Sequence, residues 1–345
     1  MSDSLIVLLP TTQAMAMMLT CSVSGRFGDR YGPKPFIGLG CIASIAAVAG
    51  CAFGDHVRHL YTTQAVQGIG AGLVYPPCMS IVTRSWKHRA FLATSFLLAC
   101  IPLYAFVAVL CSRALLTAVD HRQTLLIFSG IHGVLLFSSL FGLYNAPPPK
   151  RSSSITWVDG KQIRDKRFWL LGLSIMFTAF AMLPPFAFLT IYTRQIVPGI
   201  SPQMSVIPLA LVNLTAVFGR AIAAFLIRPF APGLPKHVSF GDDDDHHHWR
   251  LAVEPRRAFA GAILLAALSQ LIWAFATSYS QLVAYACING LFGVTFLSIL
   301  PTLSAVTFPK VDKAAAVGCL VLFATPGQSA PSSLSTAELV LTVPN

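Results

Sequence analysis

The chain has 345 residues, 55% hydrophobic and 11% charged, with a formal net charge of +11. Soluble domains carry about 25% charged residues, which excludes an aqueous surface as the main boundary. The positive charge does not point to nucleic acid, because the cations sit in short breaks between apolar runs, where the charge rule of membrane proteins accounts for them.

In chain order the apolar runs are 5–23, 36–53, 60–83, 91–112, 124–144, 168–193, 203–227, 258–277 and 281–308, followed by a shorter one at 314–326. A helix of about 20 apolar residues crosses a hydrocarbon core about 30 Å thick. In lipid only helices and closed barrels satisfy the backbone, and runs this long and uniformly apolar are helices. The composition therefore predicts an all-α, multi-pass membrane protein with nine full crossings and one partial one. The start, Met1 to Leu9, has no basic stretch before its apolar run and does not read as a signal peptide.

Lys and Arg set the orientation. One set of alternate loops holds Arg26, Arg30 and Lys34, then Arg84, Lys87 and Arg89, then the basic stretch from Lys150 to Arg167, then Arg228 to Arg257, then Lys310 and Lys313. The other set holds Arg58, Arg113, Arg122 and Arg194. The richer set is expected to be cytoplasmic, with Met1 on the outer side.

The longest polar breaks are 145–167, with Pro147–Pro149 and Ser152–Ser154, and 228–257, with Asp242–Asp245 and His246–His248. The first reads as a linker. The expected organisation is a helical half over 1–145, a cytoplasmic linker over 146–167, a second half over 168–326 with four full helices and a partial one, and a divergent polar tail over 327–345. The run of acids and histidines forms no helical i, i+4 ligand pair and reads as a solvated loop, not a metal site. The two halves echo one another: Gln67-Gly68, Gly70 and Pro77 in one match Asn289-Gly290, Gly293 and Pro301 in the other. Such an echo is expected of carriers built from parallel repeats. The eight cysteines show neither framework nor metal-ligand spacing and read as small buried apolar residues.

The sharpest local pattern is Gly25-Arg26-Phe27-Gly28-Asp29-Arg30-Tyr31-Gly32-Pro33-Lys34, between the first two runs. Gly25 and Gly32 allow close packing and a tight turn, and Asp29 is a lone carboxylate among cations that can pair with them or face a helix N-terminus. The pattern resembles the signature loop of the major facilitator superfamily, G-x-x-x-D-R-x-G-x-K. The alternative is an ordinary basic loop. The resemblance implies a bundle of two six-helix halves and a latch formed by Gly25, Asp29, Arg30, Gly32 and Lys34, with Asp29 near a helix start around Ala314 and Lys313.

Leu60-Tyr61, Gln67-Gly68-Ile69-Gly70-Ala71-Gly72, Tyr75-Pro76-Pro77 and Trp86-Lys87-His88-Arg89 are similar to the fourth helix of monocarboxylate-porter-like proteins of fungal type. So are Arg167-Phe168-Trp169-Leu170, Pro184-Pro185-Phe186, Tyr192, and Asn213 with Gly219-Arg220. Against twelve helices in that family, the chain is expected to lack the first helix, before Leu5, and the last, after Asn345. It departs from relatives elsewhere. Gln64 stands where drug and sugar carriers place an arginine before the Gln-Gly pair, and Ala216 where mammalian-type monocarboxylate carriers place an aspartate one turn before the eighth-helix arginine. The first-helix lysine of the latter is missing as well.

None of the thirteen acidic residues lies deep in an apolar run. This weighs against intramembrane aspartyl chemistry and a carboxylate proton relay. Arg220 is the exception among the cations: eight residues before Arg228, it stands roughly 12 Å up its helix. A charge at that depth marks a pathway or a site, and an arginine fork with Asn213 on the same face suits an organic anion. The alternative is that Arg220 snorkels to the interface or bonds helix-end carbonyls. Gln67, Asn289 and Tyr104 complete the candidate substrate-binding set, with interhelical hydrogen bonding as the competing role. His132 is a proton carrier or a hydrogen-bonded packing residue.

The expected function is secondary transport of a small anionic or amphipathic metabolite by alternating access, import or efflux of a fungal metabolite, with proton coupling, at the plasma membrane. The lipid bilayer is the other partner, and no cofactor, metal or nucleic acid is expected. A non-transporting membrane sensor or a truncated transporter relic is the alternative. An enzyme reading finds no nucleophile–base pair or phosphate loop. The glycines of 68–72 follow no strand and lead into a helix interior, which does not suit a dinucleotide site.

Overall fold

A computed structural model describes residues 3–54, 56–86, 90–142, 164–226, 255–307, 320 and 322–325. Residues 146–163 of the expected linker, the Asp242–His248 run, Lys310, Lys313, Ala314 and the polar tail lie outside the described residues, while Lys166 and Arg167 of that linker already belong to a helix. Those that are described form helices α1 (Asp3–Tyr31), α2 (Pro33–Cys51), α3 (Val57–Ser85), α4 (Ala90–Ala118), α5 (His121–Gly142), α6 (Lys166–Ile196), α7 (Pro202–Ser205), α8 (Ile207–Leu226), α9 (Pro255–Ala274), α10 (Tyr279–Gly293) and α11 (Phe296–Thr307). Among them eight stretches are long and apolar enough to cross a membrane: Pro33–Cys51, Val57–Val82, Leu92–Ala118, His121–Gly142, Lys166–Phe186, Pro202–Phe225, Arg256–Ala274 and Tyr279–Leu300. The expected first run, 5–23, lies within α1.

Three local expectations are corrected. The stretch 24–35 is not an extended loop. Helix α1 continues to Tyr31, Gly32 alone breaks it at φ 100° and ψ 149°, and Pro33 opens α2. That conformation belongs to glycine, and proline suits a first helical position. The run 203–227 is broken at Val206: Ser201 caps α7, its hydroxyl accepting from the Met204 N–H at 3.3 Å, and Pro208 follows the break. The run 281–308 is divided at Val294–Thr295, where the Thr295, Leu297 and Ser298 amides bond three residues back and the Thr295 hydroxyl takes the Leu291 carbonyl. Threonine back-bonding of this kind bends helices.

Prolines account for three of the side-chain bonds. A proline has no N–H and its ring crowds the carbonyl four residues earlier, so that carbonyl must find a donor elsewhere. Pro76 frees Gly72, whose carbonyl accepts the Ser24 hydroxyl at 2.6 Å. Pro208 stands four residues after Met204, whose carbonyl accepts the Tyr279 hydroxyl at 3.2 Å. Pro102 frees Leu98, and there the donor is the guanidinium of Arg220.

The chain divides into two compact units. The first holds 1–81, 111–188 and 314–345; the second holds 82–110 and 189–313. In the first, glycines on α3 bring three helices together. A Cβ on Gly68 would strike the Gln13 carbonyl of α1, one on Gly72 would lie 2.7 Å from the Met17 carbonyl, and one on Gly70 would lie 2.8 Å from the Gly40 carbonyl of α2. The stretch 68–72 is thus a packing seam. Ile37, Cys41 and Ile81 form a small apolar cluster beside it, joined by Leu136 and Leu140 of α5.

Polar side chains share the interior with apolar ones, and many large apolar side chains face outward. Ser95, Thr193, Ser269, Asn289, Ser298 and Arg220 are buried, while Phe96, Phe141, Phe225 and Phe275 are each more than 70% exposed. Lipid is as apolar as leucine, so small and polar residues go inward and large apolar ones outward. The same logic corrects the reading of the cysteines: Cys21 and Cys41 are buried, but Cys100 and Cys111 are exposed on outward faces, where a thiol needs no shelter from hydrocarbon.

Candidate functional site

The second unit is organised around the crossing of α8 and α10. A Cβ on Gly219 would strike the Leu291 carbonyl and lie 2.7 Å from the Thr295 hydroxyl; one on Gly290 would strike the Val212 carbonyl and the Thr215 hydroxyl. Each glycine therefore admits the other helix's main chain. Asn213 and Asn289 flank this crossing, each one residue from a contact point, and both are buried. The Asn213 amide donates to the Leu209 carbonyl of its own helix at 2.9 Å. The Asn289 amide donates across to the Ser269 hydroxyl of α9 at 3.1 Å.

Arg220 follows Gly219 directly. It is 3% exposed, and its guanidinium reaches the Leu98 carbonyl in the interior of α4. The side chain is thus directed at a neighbouring helix, not along its own helix to its end. Tyr104 belongs to the same unit and is 42% exposed. Gln67 is half-buried on α3 of the first unit. The structure therefore groups Arg220, Asn213, Asn289 and Tyr104 in one unit and Gln67 in the other.

Sequence reasoning missed three features of this unit. The first is the Leu98 carbonyl; its only sequence signal is Pro102, four residues on. The second is Ser269, the partner of Asn289. The third is an aromatic group in which Trp273 stacks on Tyr285 at 5.3 Å and meets Tyr192 edge-on at 6.0 Å. The Tyr285 hydroxyl donates to Gln270 at 3.2 Å, and that of Tyr192 to the Ala276 carbonyl at 3.2 Å.

The signature stretch lies at the α1–α2 joint. Gly25 and Gly28 face Pro76 and Pro77 of α3, at 3.3 Å and 3.4 Å from a built Cβ. Arg30 lies over the Tyr31 ring at 5.4 Å, and Tyr31 stacks on Phe27. Lys34 is exposed. The side chains of Arg26 and Asp29 lie outside the described residues, as does the partner expected for Asp29 near Ala314. His132 is half-buried on α5. Among the described residues no group of three His, Cys, Asp or Glu forms a metal site.

The sequence profile of the Major Facilitator Superfamily matches residues 1–241. The chain belongs to this superfamily. Among curated Major Facilitator Superfamily proteins it is 24% identical to the MFS-type transporter opdF of Penicillium oxalicum over 90% of this chain and 68% of that one. It is 22% identical to the MFS-type transporter pytF of Aspergillus terreus, covering 50% of this chain and 58% of the relative. Among solved structures it matches a bacterial homolog of the human lysosomal transporter Spinster, inward-facing and occupied, at TM-score 0.61 and 19% identity over 98% of this chain and 74% of that one. It matches the human organic anion transporter MFSD10 at TM-score 0.66 and 16% identity over 97% and 78%. The superfamily assignment and the apolar helices make this a multi-pass integral membrane transporter of small-molecule solutes.

Proposed function

We propose that the chain carries a small organic anion by alternating access, as a fungal, monocarboxylate-porter-like member of its superfamily at the plasma membrane, with proton coupling. The observation that carries this reading is the placement of Arg220, buried within a helical stretch long and apolar enough to cross a membrane. An ionised group there is expensive and is retained where it has work to do. The guanidinium fork matches a carboxylate in two parallel hydrogen bonds. The hydroxyl of Ser24 satisfies the carbonyl that Pro76 frees. A neutral donor therefore suffices for that structural task, whereas the donor at Leu98 carries a charge. The fold neighbour described as an organic anion transporter accords with an anionic solute.

The test is uptake or efflux of a panel of radiolabelled mono- and dicarboxylates in proteoliposomes. Arg220→Ala abolishes transport while the protein still reaches the membrane, and Arg220→Lys recovers little, because a point charge lacks the fork. An unchanged rate in Arg220→Ala at equal protein removes Arg220 from the site and the organic-anion reading with it.

A further inference from the structure

We infer that Pro102 is a positioning residue for the anion site: it releases the Leu98 carbonyl, and that carbonyl sets the direction of the Arg220 guanidinium. The inference rests on the anion reading above and extends it to a residue that never touches solute.

In an uninterrupted helix the Leu98 carbonyl would accept the N–H of residue 102. Proline at 102 has none, and its ring pushes the same carbonyl off the helix axis. Leu98 and Pro102 are both buried, so water does not take the vacant place. The donor that does is Arg220, from α8. An arginine side chain has several rotatable bonds and holds one direction only where something fixes it. Gly219, one residue earlier, fixes the main chain against α10, and the Leu98 carbonyl fixes the far end. The planar fork lets one nitrogen hold a carbonyl while the geometry of the others is set by that hold. Two elements thus orient one charge: the glycine crossing from one side and the proline-freed carbonyl from the other. The Ser24 clasp shows that the chain has a neutral solution to the same problem and does not use it at Pro102.

Pro102→Ala tests this, because alanine returns an N–H to the Leu98 carbonyl and weakens its claim on Arg220. The purified full chain is treated with phenylglyoxal, an arginine reagent, and modification of the Arg220 peptide is followed by mass spectrometry. The expected result is faster modification in Pro102→Ala by about tenfold, the equivalent of losing one hydrogen bond to a charged group. In proteoliposomes the same variant raises KM for a transported carboxylate by a similar factor with kcat little changed. Pro102→Ala added to Arg220→Ala alters nothing further. A proline that only shapes α4 would lower the yield or kcat and leave Arg220 reactivity alone. Equal modification rates in the two proteins overturn the inference whatever the transport result. A silent Arg220→Ala together with a changed reactivity overturns the anion reading and leaves the Pro102–Arg220 coupling standing.

Discussion

Gly219 on α8 and Gly290 on α10 stand against each other's helix backbone, so that neither position admits a Cβ without moving the partner helix. The obstacle at both includes main chain, which cannot swing aside as the tip of a flexible side chain does. Overpacking of this kind costs about 1–3 kcal/mol. Gly290→Ala and Gly219→Ala are each expected to lower the Tm of the detergent-purified protein by several degrees, and together by less than the sum, because one separation of the helices accommodates both. Gly261 and Gly130 have open space where a Cβ would go, and Gly261→Ala at the same protein concentration is the control. A Tm as high in Gly290→Ala as in Gly261→Ala contradicts the crossing.

The clasp between Ser24 and Gly72 predicts a rescue. Ser24→Ala leaves the Gly72 carbonyl, freed by Pro76, without the hydroxyl it now accepts at 2.6 Å. Leaving a buried acceptor unmet costs about 1–3 kcal/mol. Adding Pro76→Ala gives that carbonyl an N–H from its own helix. The double variant is therefore expected to melt higher than Ser24→Ala alone, although it carries one more substitution. A double variant that melts lower shows that the hydroxyl is not serving the proline's carbonyl.

Asp120, in the turn between α4 and α5, supplies a pH dependence. The main-chain N–H of His121, and then its ring at 3.0 Å, hold the Asp120 carboxyl below its ordinary value of 3.8. A carboxyl lowered on folding stabilises the fold above its unfolded value, and the contribution fades as pH falls through the lowered one. The pair is exposed, so the effect is small and shrinks with salt. Asp120→Asn is expected to flatten the acid side of the Tm–pH curve below 3.8 and to leave neutral pH unchanged. A curve that keeps its acid slope in the variant assigns that slope to other carboxylates.

What the sequence disclosed follows from the solvent. Lipid demands long apolar helices, and those runs match α2 to α6 and α9 closely in extent. Breaks inside an apolar run were invisible, because Val206 and Val294 are as hydrophobic as their neighbours and the interruption comes from proline and threonine bonding. The opposite error arose at 24–35. Polar residues there looked like a loop, yet a helix leaving the membrane can carry them, and only Gly32 must depart from it. Arg220 was legible as a charge among apolar residues. Its bond was not, since a main-chain carbonyl has no letter of its own, and Pro102 was the one sign of it. Asn289 was legible as polar, but the identity of Ser269 as its partner depends on α9 and α10 lying side by side.

The single-residue joint at Gly32 also bears on how this region tolerates changes in length. With α1 ending at Tyr31 and α2 beginning at Pro33, there is no slack to absorb an inserted or deleted residue. One residue more or fewer rotates everything downstream by about 100° about the helix axis. It would carry Gly40 away from Gly70 and Ile37 out of its cluster. The joint is thus a poor place for a tag, a fusion or a permuted terminus, although as a polar stretch between two long helices it would ordinarily be the first place to put one.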